Sequence, residues 1–195
     1  MSGPLRLGIL GAARIAPFAV IRHAHRLDCV DVAAVAEEYH PRRYLTRYAK
    51  KHGILKTYRS FDALLTDPDI DAVYLPLPIS KHADWCIRSI NAGKHVLCEK
   101  PLAANAQEAE RVLHASEGSD LVVAEAMHFR YHPLVNRVRD ILHSGEIGRV
   151  ELIDASFSAY WPFTDFRFDY AMGGGGTIDM GCYPIGFIRA VTEEE

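Results

Sequence analysis

The chain has 195 residues, of which 49% are hydrophobic and 24% charged, with a formal net charge of −3. Such a length holds one domain of ~100–200 residues, or one and part of another. The composition excludes intrinsic disorder, collagen-like repeats and coiled coils, and the nearly balanced charge gives no electrostatic footprint for nucleic acid or an anionic membrane.

The N-terminal Met1-Ser2-Gly3-Pro4-Leu5-Arg6 lacks the apolar run of a signal peptide. No stretch approaches the ~18 uninterrupted apolar residues of a membrane span. Cys29, Cys86, Cys98 and Cys182 are scattered without a C-x-x-C pair. Together these features predict free thiols in a reducing compartment, the cytoplasm.

The predicted elements alternate. Leu5–Leu10 reads as a strand that ends at Gly11, and Arg14–Arg26 carries apolar residues at helical spacing. Val30–Ala36 is a buried strand that ends at Glu37-Glu38, and Pro41 opens a polar helix through Lys51. Ser60 caps a short helix. Asp71–Leu75 is a strand halted by Pro76 and Pro78, Lys81–Ala92 a helix closed by Gly93, and His95–Cys98 a strand. A helix over 106–116 and a strand over 121–124 follow. Apolar, non-alternating strands separated by helices mean a parallel sheet covered on both faces, a doubly wound Rossmann α/β domain over residues 1–125. Beyond it come a helix over 132–144, one alternating strand-like run over 148–160, the glycine run 173–176 and a helix over 177–191. Residues 126–195 thus predict the beginning of an α/β catalytic domain with an open sheet, incomplete because one strand cannot close a sheet.

The turn Gly11-Ala12-Ala13-Arg14-Ile15-Ala16 sits where a dinucleotide pyrophosphate meets a helix N-terminus, with alanines at positions often held by glycine. A plain strand–turn–helix corner would also accept Gly and Ala, but the following strand ends in an acid, as dinucleotide binding requires. That acid, Glu37, can accept ribose hydroxyls and repel a 2′-phosphate, which favours NAD over NADP; alternatively it is a solvated strand-end charge. Arg42 and Arg43 lie near enough in sequence to serve a phosphate instead. Lys100, in Glu99-Lys100-Pro101, directly follows an apolar strand and so points at the ligand crevice, where an ammonium would stabilise developing alkoxide charge. Asp179 and Tyr183 are one helical turn apart and share a face. His128 and His132 are also four apart, but Phe129 stands where a zinc-protease helix needs glutamate, so no metal is predicted.

These segments, together with Pro78-Ile79-Ser80-Lys81-His82, Ala92–Pro101 and Gly173–Tyr183, resemble the glucose–fructose oxidoreductase/inositol dehydrogenase (Gfo/Idh/MocA) family over essentially the whole chain. The resemblance implies an NAD(P)-dependent oxidoreductase acting on a sugar, polyol or cyclic alcohol. By it Lys100 is the catalytic lysine, Tyr183 the general acid/base and Asp179 the residue that positions Lys100. Leu77, Pro78, His82 and Glu99 would join Gly11, Ala13, Arg14, Ile15, Glu37 and Lys100 around the cofactor. Tyrosine at 183, where many members have histidine, is similar to the glucose–fructose oxidoreductase, dihydrodiol dehydrogenase and xylose dehydrogenase branch. Ile79 departs from the asparagine common at that place. Family members run well beyond 195 residues and often oligomerise through the later domain, so the resemblance implies a C-terminally truncated chain and a homo-oligomeric parent. The alternative is a catalytically silent dinucleotide-binding protein or fragment. The aromatics of 157–170 either line a substrate pocket or form a bare apolar face.

Overall fold

The computed structural model describes residues 3–193, which fall into two compact units divided between Glu125 and Ala126. In the first, β1 (Leu5–Leu10), β2 (Val30–Ala36), β3 (Lys56–Tyr58), β4 (Ala72–Leu75), β5 (His95–Cys98) and β6 (Val123–Glu125) form one sheet in the order β3-β2-β1-β4-β5-β6. Every neighbouring pair is parallel. Side chains alternate between the faces, because successive Cβ atoms of a strand point opposite ways. Leu7, Ile9, Ala72 and Tyr74 join one core and Leu10, Val73 and Leu75 the other.

Around the sheet lie α1 (Arg22–Ala24), α2 (Arg42–Lys51), α3 (Phe61–Leu65), α4 (His82–Asn91) and α5 (Ala106–Ser116). The predicted helix after the first turn opens as a π-helical turn, Pro17–Ile21, before α1. Ser60 Oγ accepts from Ala63 N at 3.4 Å, the cap its sequence position implied. Asn105 caps α5 by accepting from Glu108 N at 2.9 Å, while Glu108 reaches back to Ala104 N at 3.0 Å. The three-residue β3 was not predicted. It is too short to show a period, and it exists because the edge of β2 offers hydrogen bonds.

The second unit contains α6 (Pro133–Ser144) and α7 (Cys182–Thr192), which pack on each other. The strand expected over 148–160 is not formed. A strand requires a ladder partner for its N–H and C=O groups, and this unit has no other strand among the described residues. The expected open sheet is therefore absent from these residues.

Candidate active site

Three loops leave the carboxyl ends of neighbouring strands: Gly11 onwards after β1, Pro76–Pro78 after β4 and Glu99–Pro101 after β5. Since β1 lies between β2 and β4, the chain reverses its winding here, and this is the switch point where doubly wound sheets bind ligands.

The β1 turn is tightly held. Gly11 has φ +110°, a left-handed value, and an added Cβ would come within 3.0 Å of Leu77 Cδ2. Gly11 N donates to Ala36 O at 2.9 Å, and Ala13 N donates to Gly11 O at 2.8 Å. Tyr44 and Tyr48, four residues apart on α2, donate their hydroxyls to Ala12 O at 3.0 Å and Ala13 O at 3.1 Å. Burial, with smaller effects from Tyr44 and Glu37, pushes the Tyr48 phenol well up, so it stays a donor. The N–H groups of Arg14 and Ile15 have no acceptor among the described residues. Exposed N–H groups at the mouth of a helix fit a pyrophosphate, and this turn accordingly suits a dinucleotide.

Glu37 is not a solvated charge. It is 3% exposed. Its Oε2 accepts from Ala12 N at 3.0 Å, and its Oε1 accepts from Tyr39 N and His40 N at 2.8 and 3.1 Å. Burial alone would raise its pKa, but the bonds from Ala12, Tyr39 and His40 outweigh that and hold it below the ordinary value. Glu38 is also engaged, accepting from Phe61 N at 2.7 Å.

At β5, Glu99 Oε1 accepts from the fully buried Tyr74 hydroxyl at 2.6 Å, and Glu99 Oε2 accepts from Lys100 N at 3.3 Å. His82 is 1% exposed, with Nε2 2.8 Å from Leu77 O and Nδ1 2.7 Å from Pro101 O. Burial lowers its pKa, against the pull of those two carbonyls. His82 therefore ties the β4 loop to the residue after Lys100. Pro78 accepts from Lys81 N at 2.8 Å, closing the turn into α4.

In the second unit, Asp179 lies in a second π-helical turn, Thr177–Gly181, and is 6% exposed. Arg167 Nε donates to Asp179 Oδ2 at 2.8 Å and its Nη1 to Asp165 Oδ1 at 2.9 Å. The guanidinium lies 3.8 Å from the Trp161 ring centroid. Tyr183, in the first turn of α7, packs against Phe157 and His128 at ring-centroid distances of 4.6 and 5.9 Å. Sequence reasoning missed Arg167, which sits in an irregular loop with no periodic signal. It also missed Tyr44 and Tyr48, although their four-residue spacing placed them on one helical face. Tyr160, Phe163 and Tyr170 are largely exposed. Among the described residues no three His, Cys, Asp or Glu side chains group to hold a metal ion, and no helix is long and apolar enough to cross a membrane.

Residues 5–127 match the oxidoreductase family with an NAD-binding Rossmann fold, and residues 135–195 match the GFO/IDH/MocA C-terminal domain. An uncharacterized oxidoreductase of Rhizobium meliloti is 38% identical over 98% of this chain and 57% of its own length. A D-xylose 1-dehydrogenase (NADP+) of Haloferax volcanii is 37% identical over 95% of this chain and 56% of its own. The chain thus spans little more than half the length of these relatives. The crystal structure of KijD10, a 3-ketoreductase from Actinomadura kijaniata in complex with NADP and TDP-benzene, superposes with a TM-score of 0.91 at 34% identity, covering 97% of this chain and 58% of that one. The chain belongs to the Gfo/Idh/MocA oxidoreductase family, its first unit being that family's NAD(P)-binding Rossmann domain.

Proposed function

We propose that the protein transfers hydride between NAD or NADP and a sugar, polyol or related cyclic alcohol, with Lys100 and Tyr183 as the catalytic pair. Residues 1–125 bind the dinucleotide and 126–195 supply substrate-side groups. The observation that carries this reading is Lys100 at the carboxyl end of β5, beside the switch point, with flanking backbone anchored by Glu99, Tyr74 and His82. A bound nicotinamide would supply the hydride acceptor or donor. Lys100 holds the substrate oxygen and stabilises its developing negative charge. Tyr183 takes the hydroxyl proton in oxidation and returns it in reduction. Asp179, which accepts a hydrogen bond from Arg167 Nε, helps to position and tune Lys100. Relatives support the substrate class: one is named for D-xylose and another is a 3-ketoreductase crystallised with a TDP compound. Crystal structures of that reductase include a lysine-to-alanine and a tyrosine-to-phenylalanine variant, the two residue types assigned here.

The test is Lys100→Met, assayed with a panel of aldoses and polyols by reduced-nicotinamide absorbance. Turnover is expected to fall roughly 10²–10³-fold, the loss typical of one oxyanion donor, while NADH and NADPH still quench fluorescence as in the wild type. Undiminished turnover would remove Lys100 from the chemistry. A wild type that binds cofactor but reduces or oxidises nothing in the panel would make the protein a binding module.

A further inference from the structure

We infer that Glu37 is a positioning residue that braces the dinucleotide turn from beneath, and that it does not read the cofactor ribose. An ionised carboxylate has about four lone-pair sites, and at Glu37 three accept backbone N–H groups while the fourth lies against the His40 imidazole. Oε1 receives Tyr39 N and His40 N, while Oε2 receives Ala12 N and lies 3.3 Å from His40 Nδ1. With the side chain 3% exposed, no lone pair is left pointing at solvent for a ribose hydroxyl. The bond to Ala12 N acts together with the Tyr44 and Tyr48 hydroxyls on Ala12 O and Ala13 O. These three side chains, one just past the end of β2 and two on α2, hold the peptide groups of Ala12 and Ala13, immediately before Arg14 and Ile15. Glu37 therefore acts on the shared pyrophosphate-binding geometry. Its effect is the same for NAD and NADP, and the choice between them falls to other groups.

The inference rests on the proposed cofactor site, and NADH and NADPH titrations of the wild type and Glu37→Gln test both. In the variant, one carboxylate oxygen becomes an NH2 group facing either Ala12 N–H or the Tyr39 and His40 N–H pair, so one or two contacts turn repulsive. Both affinities are expected to fall roughly ten-fold, the scale of a lost charge-assisted hydrogen bond, with the NADH-to-NADPH ratio held within about two-fold. A ribose reader behaves otherwise: NADH binding falls, NADPH binding holds or improves, and a ratio shifted that way overturns the inference. Should Glu37→Gln fail to fold, Tyr44→Phe and Tyr48→Phe replace it. Each removes one hydroxyl contact to the turn and keeps the ring, and each is expected to weaken both cofactors equally; unaltered binding in both overturns the inference. A wild type that binds neither cofactor refutes the proposed site instead. The bracing is then read from the Ala12 amide, whose hydrogen exchange accelerates in Glu37→Gln if the inference holds and is unchanged if it does not.

Discussion

Asp71 shows how one residue anchors an entire strand. Its carboxylate takes Arg6 Nη2 at 2.7 Å, Nε at 3.0 Å and the Arg6 backbone N at 2.9 Å, joining the starts of β1 and β4. The Arg6 bond, opposed by burial, holds its pKa down at about 2. Asp67 is likewise lowered to about 2, first by the Tyr58 hydroxyl and then by Asp69 N. An unfolded aspartate titrates near ~3.9, so both contribute stability that is present above that pH and lost as pH falls towards about 2. Acid unfolding of Asp71→Asn should accordingly show a shallower pH dependence between about 4 and 2 than the wild type. Parallel curves would mean that the pair adds nothing. None of this was visible in the residue types. Likewise, an acid at the end of a strand looked in sequence like a ribose ligand, yet the fold folds three N–H groups over Glu37, because only the tertiary path brings Ala12 beside it.

At the scale of elements, most of the helices and strands were readable because their signals are local: Pro41 and Ser60 at helix starts, and the apolar runs of β2 and β4. The segment 148–160 carried a strand-like alternation without becoming a strand, since pairing is not a local property. The loop before α7 depends on one glycine. A Cβ on Gly174 would come within 2.5 Å of Arg167 O and 2.6 Å of Asp169 O, both backbone atoms that cannot swing away. Gly174→Ala should therefore destabilise this loop by about 1–3 kcal/mol, as overpacking does. The bond from Gly175 N to Arg167 O, 3.0 Å in the native loop, reports it. Faster exchange of the Gly175 amide is expected, together with reduced turnover through the Arg167–Asp179 pair, and an unaltered amide would show that the loop absorbs the methyl group.

For the molecule as a whole, the reactivity of the thiols follows from where the fold puts them. Cys29 is exposed, whereas Cys86 and Cys98 are buried between α4 and the sheet. Burial, then the contact with Cys86, pushes the Cys98 thiol far above its ordinary range, leaving no reactive thiolate. A thiol reagent at neutral pH should modify Cys29 quickly and reach Cys86 and Cys98 only at the rate of unfolding, as followed by intact mass. Rapid modification of Cys98 in the native protein would contradict this packing. Sequence alone determined the winding of the first unit and the candidate turn, lysine, aspartate and tyrosine, because hydrophobic period, proline and glycine act within a few residues of themselves. Only the tertiary structure decided what those groups touch. Glu37 turned inward to the β1 turn, His82 became a tie between two loops and Asp179 met Arg167, since hydrogen bonds between residues far apart in the chain form only when the fold brings their donors and acceptors within 3 Å or so of each other.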